Sequence, residues 1–280
     1  MSISIAIPCY NGALHIGSCV ESAINQSYPA DKILVIDDGS TDPSNTIISN
    51  YPVEVIHHPN NLGLAAARNT ALHNVDTDLI VYIDADVIAD SHMLEVLLKE
   101  FERGDYAGVG GQGIEAHSTT LYDLWRSLHA HQNLGEYRNE HRDFLAGLCM
   151  GYRCSVLSAI NGFDITFRTN GEDIDLGIRL NKAGFKLLYT PEARVYHQRQ
   201  DDHASLRRMM YRWYYWAFVA KKKNGRHPWT LLTGTLRRMI WSDTLTDLFI
   251  RRNFALAKLD IELSVVKIDA ILSASRSNIP

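Results

Sequence analysis

The chain opens on Ile3-Ser4-Ile5-Ala6-Ile7, a short and nearly unbroken apolar run that Pro8 is expected to stop. Runs of this kind, rich in β-branched residues, predict strands buried on both faces. The pattern recurs at Ile33–Ile36, Val53–Ile56 and Leu79–Ile83. Between these runs the apolar positions take helical spacing, over Leu14–Gln26, the alanine-rich Leu64–Asn74 and Met93–Glu102. A further helix is expected from Pro43, since proline suits a first turn, with Ser40, Thr41 or Asp42 as its cap. Strands alternating with helices predict a mostly parallel sheet flanked by helices, with right-handed crossovers.

The second half is less regular. Tyr106–Gly111 and the glycine-containing Ala146–Arg153 read as strands, and Leu121–Leu134 as a helix. Glu172–Ala183 is expected to be a helix closed by Gly184. Lys186–Tyr189 and Arg194–His197 are two short extended pieces separated by Thr190-Pro191. From Ser205 onward the pattern is helical, so the expected division is 1–200 and a helical extension over 201–280.

Composition narrows the class. At 280 residues, 46% apolar and 21% charged, the chain is globular rather than disordered. A net charge of −4 gives no general case for nucleic-acid binding. Cys9, Cys19, Cys149 and Cys154 lack paired Cys-x-x-Cys spacing, which favours free thiols over zinc or a disulfide framework. Met1 leads straight into a strand without a basic-then-apolar leader, and no uncharged run approaches the ~20 residues of a membrane span. The expectation is a cytoplasmic protein, at most touching the inner face of a membrane.

The candidate chemistry sits at strand ends. Asp84-Ala85-Asp86 follows Leu79–Ile83, where open α/β sheets bind their ligands. One carboxylate there can reach a ribose hydroxyl and the other a hard divalent ion, Mg²⁺ or Mn²⁺. Pro8-Cys9-Tyr10-Asn11 and Asp37-Asp38-Gly39-Ser40 end two other strands, and together the three loops suggest one crevice. No Gly-x-Gly-x-x-Gly or Gly-Lys-Ser/Thr loop is present, so phosphates need a metal and a cation, with Arg68 the leading cation. Glu172-Asp173 opens a helix, where the dipole is expected to keep the aspartate ionised and ready to accept a proton, while Asp175 faces solvent. His197 ends an extended piece, and a neutral imidazole can complete a Mn²⁺ site built on carboxylates.

These motifs, in order and spacing, resemble the family 2 inverting glycosyltransferases with the GT-A fold. The matching residues are Ile5–Asn11, Val35–Asp42, Asn61–Asn69, Asp84–Asp86, Gly162-Phe163-Asp164, Glu172-Asp173 and His197. The resemblance covers about residues 1–200. It implies a nucleotide-diphospho-sugar transferase fold and a metal-dependent hexosyltransferase or related enzyme, with a nucleotide-sugar donor, usually a UDP-sugar, and a glycan or lipid-linked acceptor. By resemblance, Pro8, Tyr10 and Asn11 line the nucleotide site. Asp38 accepts a hydrogen bond from the base, with Asp37 nearby. Arg68 supports base or phosphate. Asp84 and Ala85 lie near the ribose. Asp86 binds the metal, and His197 completes that site or contacts the diphosphate. Asp173 is the general base and Glu172 sits beside the acceptor. A non-catalytic nucleotide-sugar-binding protein and a nucleotidyltransferase are the competing readings.

Residues 201–280 match no shared motif. Tyr211, Trp213, Tyr214, Tyr215, Trp216 and Phe218, with Arg207-Arg208 and Lys221-Lys222-Lys223 on either side, suit either a packed helix or peripheral membrane contact through 206–241. Arg237-Arg238-Met239-Ile240-Trp241 repeats the basic-aromatic theme. Leu256–Leu272 reads as a homodimer helix or a domain clasp. His117, Trp125, His129, His131 and His141 carry no assigned role.

Overall fold

The computed structural model describes residues 1–130, 132, 134–241 and 243–277. The chain divides into two compact units, Met1–Ala116 with Gln132–Arg199, and His117–His131 with Gln200–Pro280.

In chain order the elements are β1 (Ile3–Cys9), α1 (Ile16–Ile24), β2 (Lys32–Asp37), α2 (Ser44–Ile48), β3 (Glu54–His57), α3 (Leu64–His73), β4 (Leu79–Ile83), β5 (Val87–Ala89), α4 (Met93–Arg103), β6 (Gly108–Glu115), α5 (Leu121–His129), β7 (Cys149–Arg153), α6 (Cys154–Ala159), α7 (Glu172–Lys182) and β8 (Leu187–His197). The second unit holds α5 together with α8 (His203–Lys223), α9 (Thr230–Trp241), α10 (Asp243–Leu245), a π-helical turn at Thr246–Ile250 and α11 (Phe254–Arg276).

The sheet runs β3-β2-β1-β4-β7-β6-β8-β5. Its first four strands are parallel, and β7 turns the sheet antiparallel between β4 and β6. Side-chain alternation explains the apolar runs. Ile3, Ile5 and Ile7 join Leu79, Val81 and Ile83 under α1 and α4, whereas Ala6, Ile80 and Tyr82 join the opposite layer with α3 and α7. Both faces are therefore dry, and each fully buried aliphatic contributes ~1.5–3 kcal/mol.

Two prolines do not break strands as their sequence context suggests. Pro8 lies inside β1, opposite Ile36. The amide of Asp38 donates to the Cys9 carbonyl, so Cys9 faces β2 and Pro8 faces the β4 side. The β4 ladder ends at Ala6↔Tyr82, so the missing Pro8 N–H takes no bond from it. Likewise Thr190-Pro191 does not divide β8. The β6–β8 register shifts between Gly110 and Gln112, and this irregularity accommodates Pro191. The short β5 and α6 are absent from the sequence reading, because neither is long enough to display a period.

In the second unit, Trp125 of α5 packs with Leu206, Met209 and Met210 of α8 and with Leu256, Leu259 and Leu263 of α11. No helix among the described residues is long and apolar enough to cross a membrane.

Candidate active site

Parallel pairing delivers the ends of β1, β2 and β4 to one edge of the sheet. Their loops are laced together by short polar contacts. The Asn11 amide donates to Ser40 Oγ at 2.9 Å, and Asn11 Oδ1 accepts the Thr41 amide at 2.8 Å. Asn11 holds φ at +51°, a left-handed conformation that asparagine tolerates. A Cβ at Gly12 would stand 2.9 Å from Cys9 Sγ and 3.6 Å from Ala85 Cβ, so the first loop lies directly on Asp84-Ala85-Asp86. Tyr10 remains 50% exposed beside it.

Asp37 and Asp38 are both buried. Asp37 accepts the Ser40 amide at 3.0 Å and Asn45 Nδ2 at 2.8 Å, with His57 Nδ1 at 3.2 Å. Burial acts to raise its pKa, but these hydrogen bonds hold it below the usual carboxylate value. Asp38 Oδ1 accepts the Leu62 amide at 2.8 Å and lies 2.7 Å from His58 Nδ1, while Oδ2 accepts the Gly63 amide at 2.8 Å. Its carboxylate therefore fastens the loop before α3. The expected hydrogen bond from a nucleotide base competes with these internal partners.

His197 lies between two carboxylates because of strand register. On one side β5 pairs Val87 with His197, which brings the preceding Asp86 alongside. On the other, β6 pairs Glu115 with His197. His197 Nε2 is 3.3 Å from Asp86 Oδ2, and Nδ1 is 3.1 Å from Glu115 Oε2. Burial opposes a charge on the imidazole, but its bonds to Asp86 and Glu115 outweigh that and lift its pKa to about 9. Burial would raise Asp86, yet the His197 bond and charge, with Arg199, hold it low.

Arg68 is fully buried. Nη1 pairs with Glu172, and Nη2 donates to Asp84 Oδ1 at 3.0 Å and to the Gly147 carbonyl at 3.1 Å. One guanidinium thus ties the end of β4 to the first turn of α7. Arg68 and Glu172, expected beside base or phosphate and beside the acceptor, are engaged with each other within the chain. Glu172 is 3% exposed, and its Oε2 has no hydrogen-bond partner. Asp84 is raised by burial, against the opposing charge of Arg68.

Asp173, next to that pair, is partly exposed. Its carboxyl is pushed up to about 7, chiefly by burial and then by Glu172, with Asp84 adding to the repulsion. The helix N-terminus does not keep it low as expected, because desolvation and two neighbouring acids outweigh the dipole. Asp175 is also corrected. It is 1% exposed rather than solvent-facing, and it accepts Arg179 Nε at 2.8 Å.

The structure therefore draws Asp84, Asp86, Arg68, Glu172, Asp173 and His197 into one network at the strand ends. Glu115 is the member that sequence reasoning missed. The expected strand stopped at Gly111, and the only local signal was a carboxylate four residues beyond. Of the histidines without assigned roles, His131 lies outside the described residues, as do the side chains of 239–241.

Asp86 Oδ2 and His197 Nε2 face each other at 3.3 Å, so an ion held there would take the place of the proton between them. Glu115 stands behind the imidazole, where an outer carboxylate orients metal-bound histidines. A carboxylate and an imidazole are donors that could hold a divalent ion such as Mn²⁺.

A family model described as glycosyl transferase family 2 matches residues 4–160. The chain is 30% identical over 235 residues to a pre-mycofactocin glycosyltransferase of Mycobacterium tuberculosis, covering 81% of this chain and 48% of that protein. It is 26% identical over 212 residues to the O-antigen chain rhamnosyltransferase WbaN of Salmonella anatum, covering 70% and 66%. The chain spans about half the length of the first of these relatives. Among solved structures, the mannosyltransferase PcManGT of Pyrobaculum calidifontis, in complex with GDP-Man and Mn²⁺, superposes with a TM-score of 0.65 at 16% identity, over 99% of this chain and 76% of that one. TarS 1–349 of S. aureus in complex with UDP-GlcNAc superposes at 0.59 and 16% identity, over 97% and 82%. These likenesses identify a GT-A-type fold.

Proposed function

The chain belongs to glycosyl transferase family 2, and from that membership we propose that it transfers a sugar from a nucleoside-diphosphate donor to an acceptor hydroxyl with inversion. The observation that carries this reading is Asp173, a partly exposed carboxylate with a pKa of about 7, joined through Glu172, Arg68 and Asp84 to the Asp86–His197 pair.

An alcohol is a weak nucleophile at neutral pH. A carboxylate poised near 7 takes its proton as the new bond forms, an assistance of ~10²–10⁴-fold. Attack from the face opposite the leaving group inverts the anomeric carbon in one displacement, and no covalent sugar–enzyme step is required. Glu172 is therefore not a nucleophile. Its pairing with Arg68 fixes the first turn of α7 and so orients Asp173. Asp86 and His197 would hold Mn²⁺ or Mg²⁺, which when bound stabilises charge on the departing diphosphate as a Lewis acid. Tyr10, half-exposed beside Asn11 and Pro8, offers a ring face to the donor base. Asp38 acts on the nucleotide site through the loop that it fastens.

We further propose a UDP-sugar as donor and a glycan or lipid-linked acceptor; the fold shared with TarS 1–349 in complex with UDP-GlcNAc supports the first. The test is a panel of sugar nucleotides incubated with Mn²⁺ and simple acceptors. Release of a nucleoside diphosphate, lost in Asp173→Asn while donor binding persists, supports the reading. Release of pyrophosphate would select a nucleotidyltransferase. Tight nucleotide binding with no turnover on any donor would select a non-catalytic binding protein.

The α11 helix supports a further partner, a second copy of this chain. Its inner face is buried, yet Phe254, Ile261, Val265 and Leu272 are 75%, 48%, 60% and 36% exposed. With Ile268 and Lys258 they occupy the two apolar positions of three successive heptads, the seam of a coiled coil. An antiparallel copy centred on Leu263 sets Phe254 against the partner's Leu272 and Ile261 against the partner's Val265. It also sets exposed Lys258 beside the partner's Asp269. Membrane contact through 206–241 gains less support. Tyr211, Trp213, Tyr214, Tyr215 and Trp216 are half-buried and Phe218 is buried, so most rings of α8 pack inward, with Trp229 beyond it 40% exposed.

A further inference from the structure

The second unit contains a cluster that the proposed transfer does not use. His129 at the end of α5, Asp243 in α10 and Asp260 in α11 each offer a ligand atom, and these atoms all lie within 4.8 Å of one another. The three residues are far apart in sequence and converge only in the fold. His129 Nδ1 is 3.9 Å from Asp243 Oδ2, too long for a hydrogen bond and about 0.5 Å more than the ~3.4 Å between two ligands of a tetrahedral ion. The opposite ring nitrogen, Nε2, lies 2.9 Å from Asp247 Oδ2, and Asp247 is itself held by Arg251 at 2.7 Å. A proton on Nε2, donated to Asp247, leaves the Nδ1 lone pair aimed at the cluster. This is how an outer carboxylate fixes a metal-binding histidine.

Asp260 supplies an independent observation. It is 1% exposed, and Thr244 donates to Oδ2, yet Oδ1 has no hydrogen-bond partner. A buried carboxylate oxygen without a partner is costly and calls for a cation. Buried Lys267 acts on Asp260 through its charge but does not bond the free oxygen. Its Nζ sits over the rings of Trp125 and Tyr214, at 4.8 and 5.6 Å from their centroids, and among the described residues it makes no ion pair with Asp260.

We propose that His129, Asp243 and Asp260 form a second divalent-cation site, separate from Asp86 and His197, that staples α5 to α10 and α11. One imidazole nitrogen and two carboxylates suit Zn²⁺ or Mn²⁺. Ligand distances of ~2.1 Å are reached by sub-ångström side-chain movement. The ion holds α5 to the C-terminal helices and stabilises the unit that they build.

The test uses the full chain carrying Asp86→Ala, which removes the proposed active-site ligand. After chelation and dialysis it is titrated with Zn²⁺ alone and with Mn²⁺ alone, with metal content and Tm as readouts. The expected result is one bound ion per chain and a Tm raised by ligand-linked stabilisation. Adding Asp260→Asn should weaken uptake by about tenfold or more and abolish the Tm gain. Should that variant not fold, Asp243→Asn, whose side chain is only 20% exposed but lies nearer the surface, makes the same comparison. A crystal of the chain soaked in either ion should show an anomalous peak among the three residues. The proposal is overturned by no stoichiometric uptake in the Asp86→Ala chain, by uptake indifferent to both Asp260→Asn and Asp243→Asn, or by an anomalous peak elsewhere in this unit.

Discussion

Arg68 Nη2 lies 3.0 Å from Asp84 Oδ1, and the guanidinium that makes this bond is wholly shut off from solvent. The same group serves Glu172, so two acids from distant parts of the chain share one cation. Replacing Arg68 by leucine leaves the buried Glu172 carboxylate unpaired and takes the cation away from Asp84, whose side chain is 31% exposed. Removal of one partner from a buried ion pair typically costs about 3–5 kcal/mol. Urea denaturation of Arg68→Leu should report a loss of that order, with Arg68→Lys intermediate because an ammonium cannot fork to both acids. A loss below about 1 kcal/mol would mean that the network is dispensable.

Asp173→Asn should lower turnover by about 10²–10⁴-fold while leaving donor affinity within a few-fold of the parent chain. Initial rates under donor saturation, together with equilibrium binding of the nucleoside diphosphate, separate the two effects. An equal loss of both would remove Asp173 from the role of base.

The pH dependence follows from the same carboxyl. A base with a pKa of about 7 is active only when deprotonated, so kcat/KM should climb through neutral pH and level off above it. Stability should move the other way. The folded pKa lies above the ordinary aspartate value of 3.8, so the native state binds the extra proton between about pH 4 and 7. That contribution is complete below this window and lost as pH rises through it. Asp173→Asn should therefore raise Tm more at pH 8 than at pH 5.5, by roughly 2–4 °C if the partly exposed group is worth ~1 kcal/mol. A Tm gain independent of pH would break the link.

Glu115→Gln retains shape and removes the charge that orients His197. Mn²⁺ affinity, measured by calorimetry in the presence of a nucleoside diphosphate, should fall by about 10–100-fold. An unchanged affinity would show that the carboxylate contributes nothing beyond its neutral isostere.

Val265→Glu introduces a charge at the centre of the outward seam of α11. Light scattering should record a change from two chains to one, whereas the charge swap Lys258→Glu with Asp269→Lys in the parent chain should leave two. A parent chain that is monomeric at high micromolar concentration would exclude the seam as a dimer surface.

Much of the first unit was legible from local pattern. Leu79–Ile83 is a strand with the bounds that its apolar run marks, and α3, α4 and α7 begin where spacing and first-turn residues indicate. Pro8 and Pro191 misled, because whether a missing N–H breaks a strand depends on what lies opposite it. Asp175 misled for a related reason. A carboxylate in a first helical turn looks solvent-facing until Arg179 and the sheet close over it.

By itself, the sequence determined the kinds of element, the strand-end positions of Asp37, Asp84 and Asp86, and the family, because periodicity and short motifs are encoded over a few residues. Tertiary structure alone decided that His197 stands between Asp86 and Glu115, that Arg68 is an internal strut, and that α5 belongs with the C-terminal helices. Each of those outcomes is set by strand register or helix packing between segments tens to more than a hundred residues apart, and such a neighbour leaves no trace in local spacing.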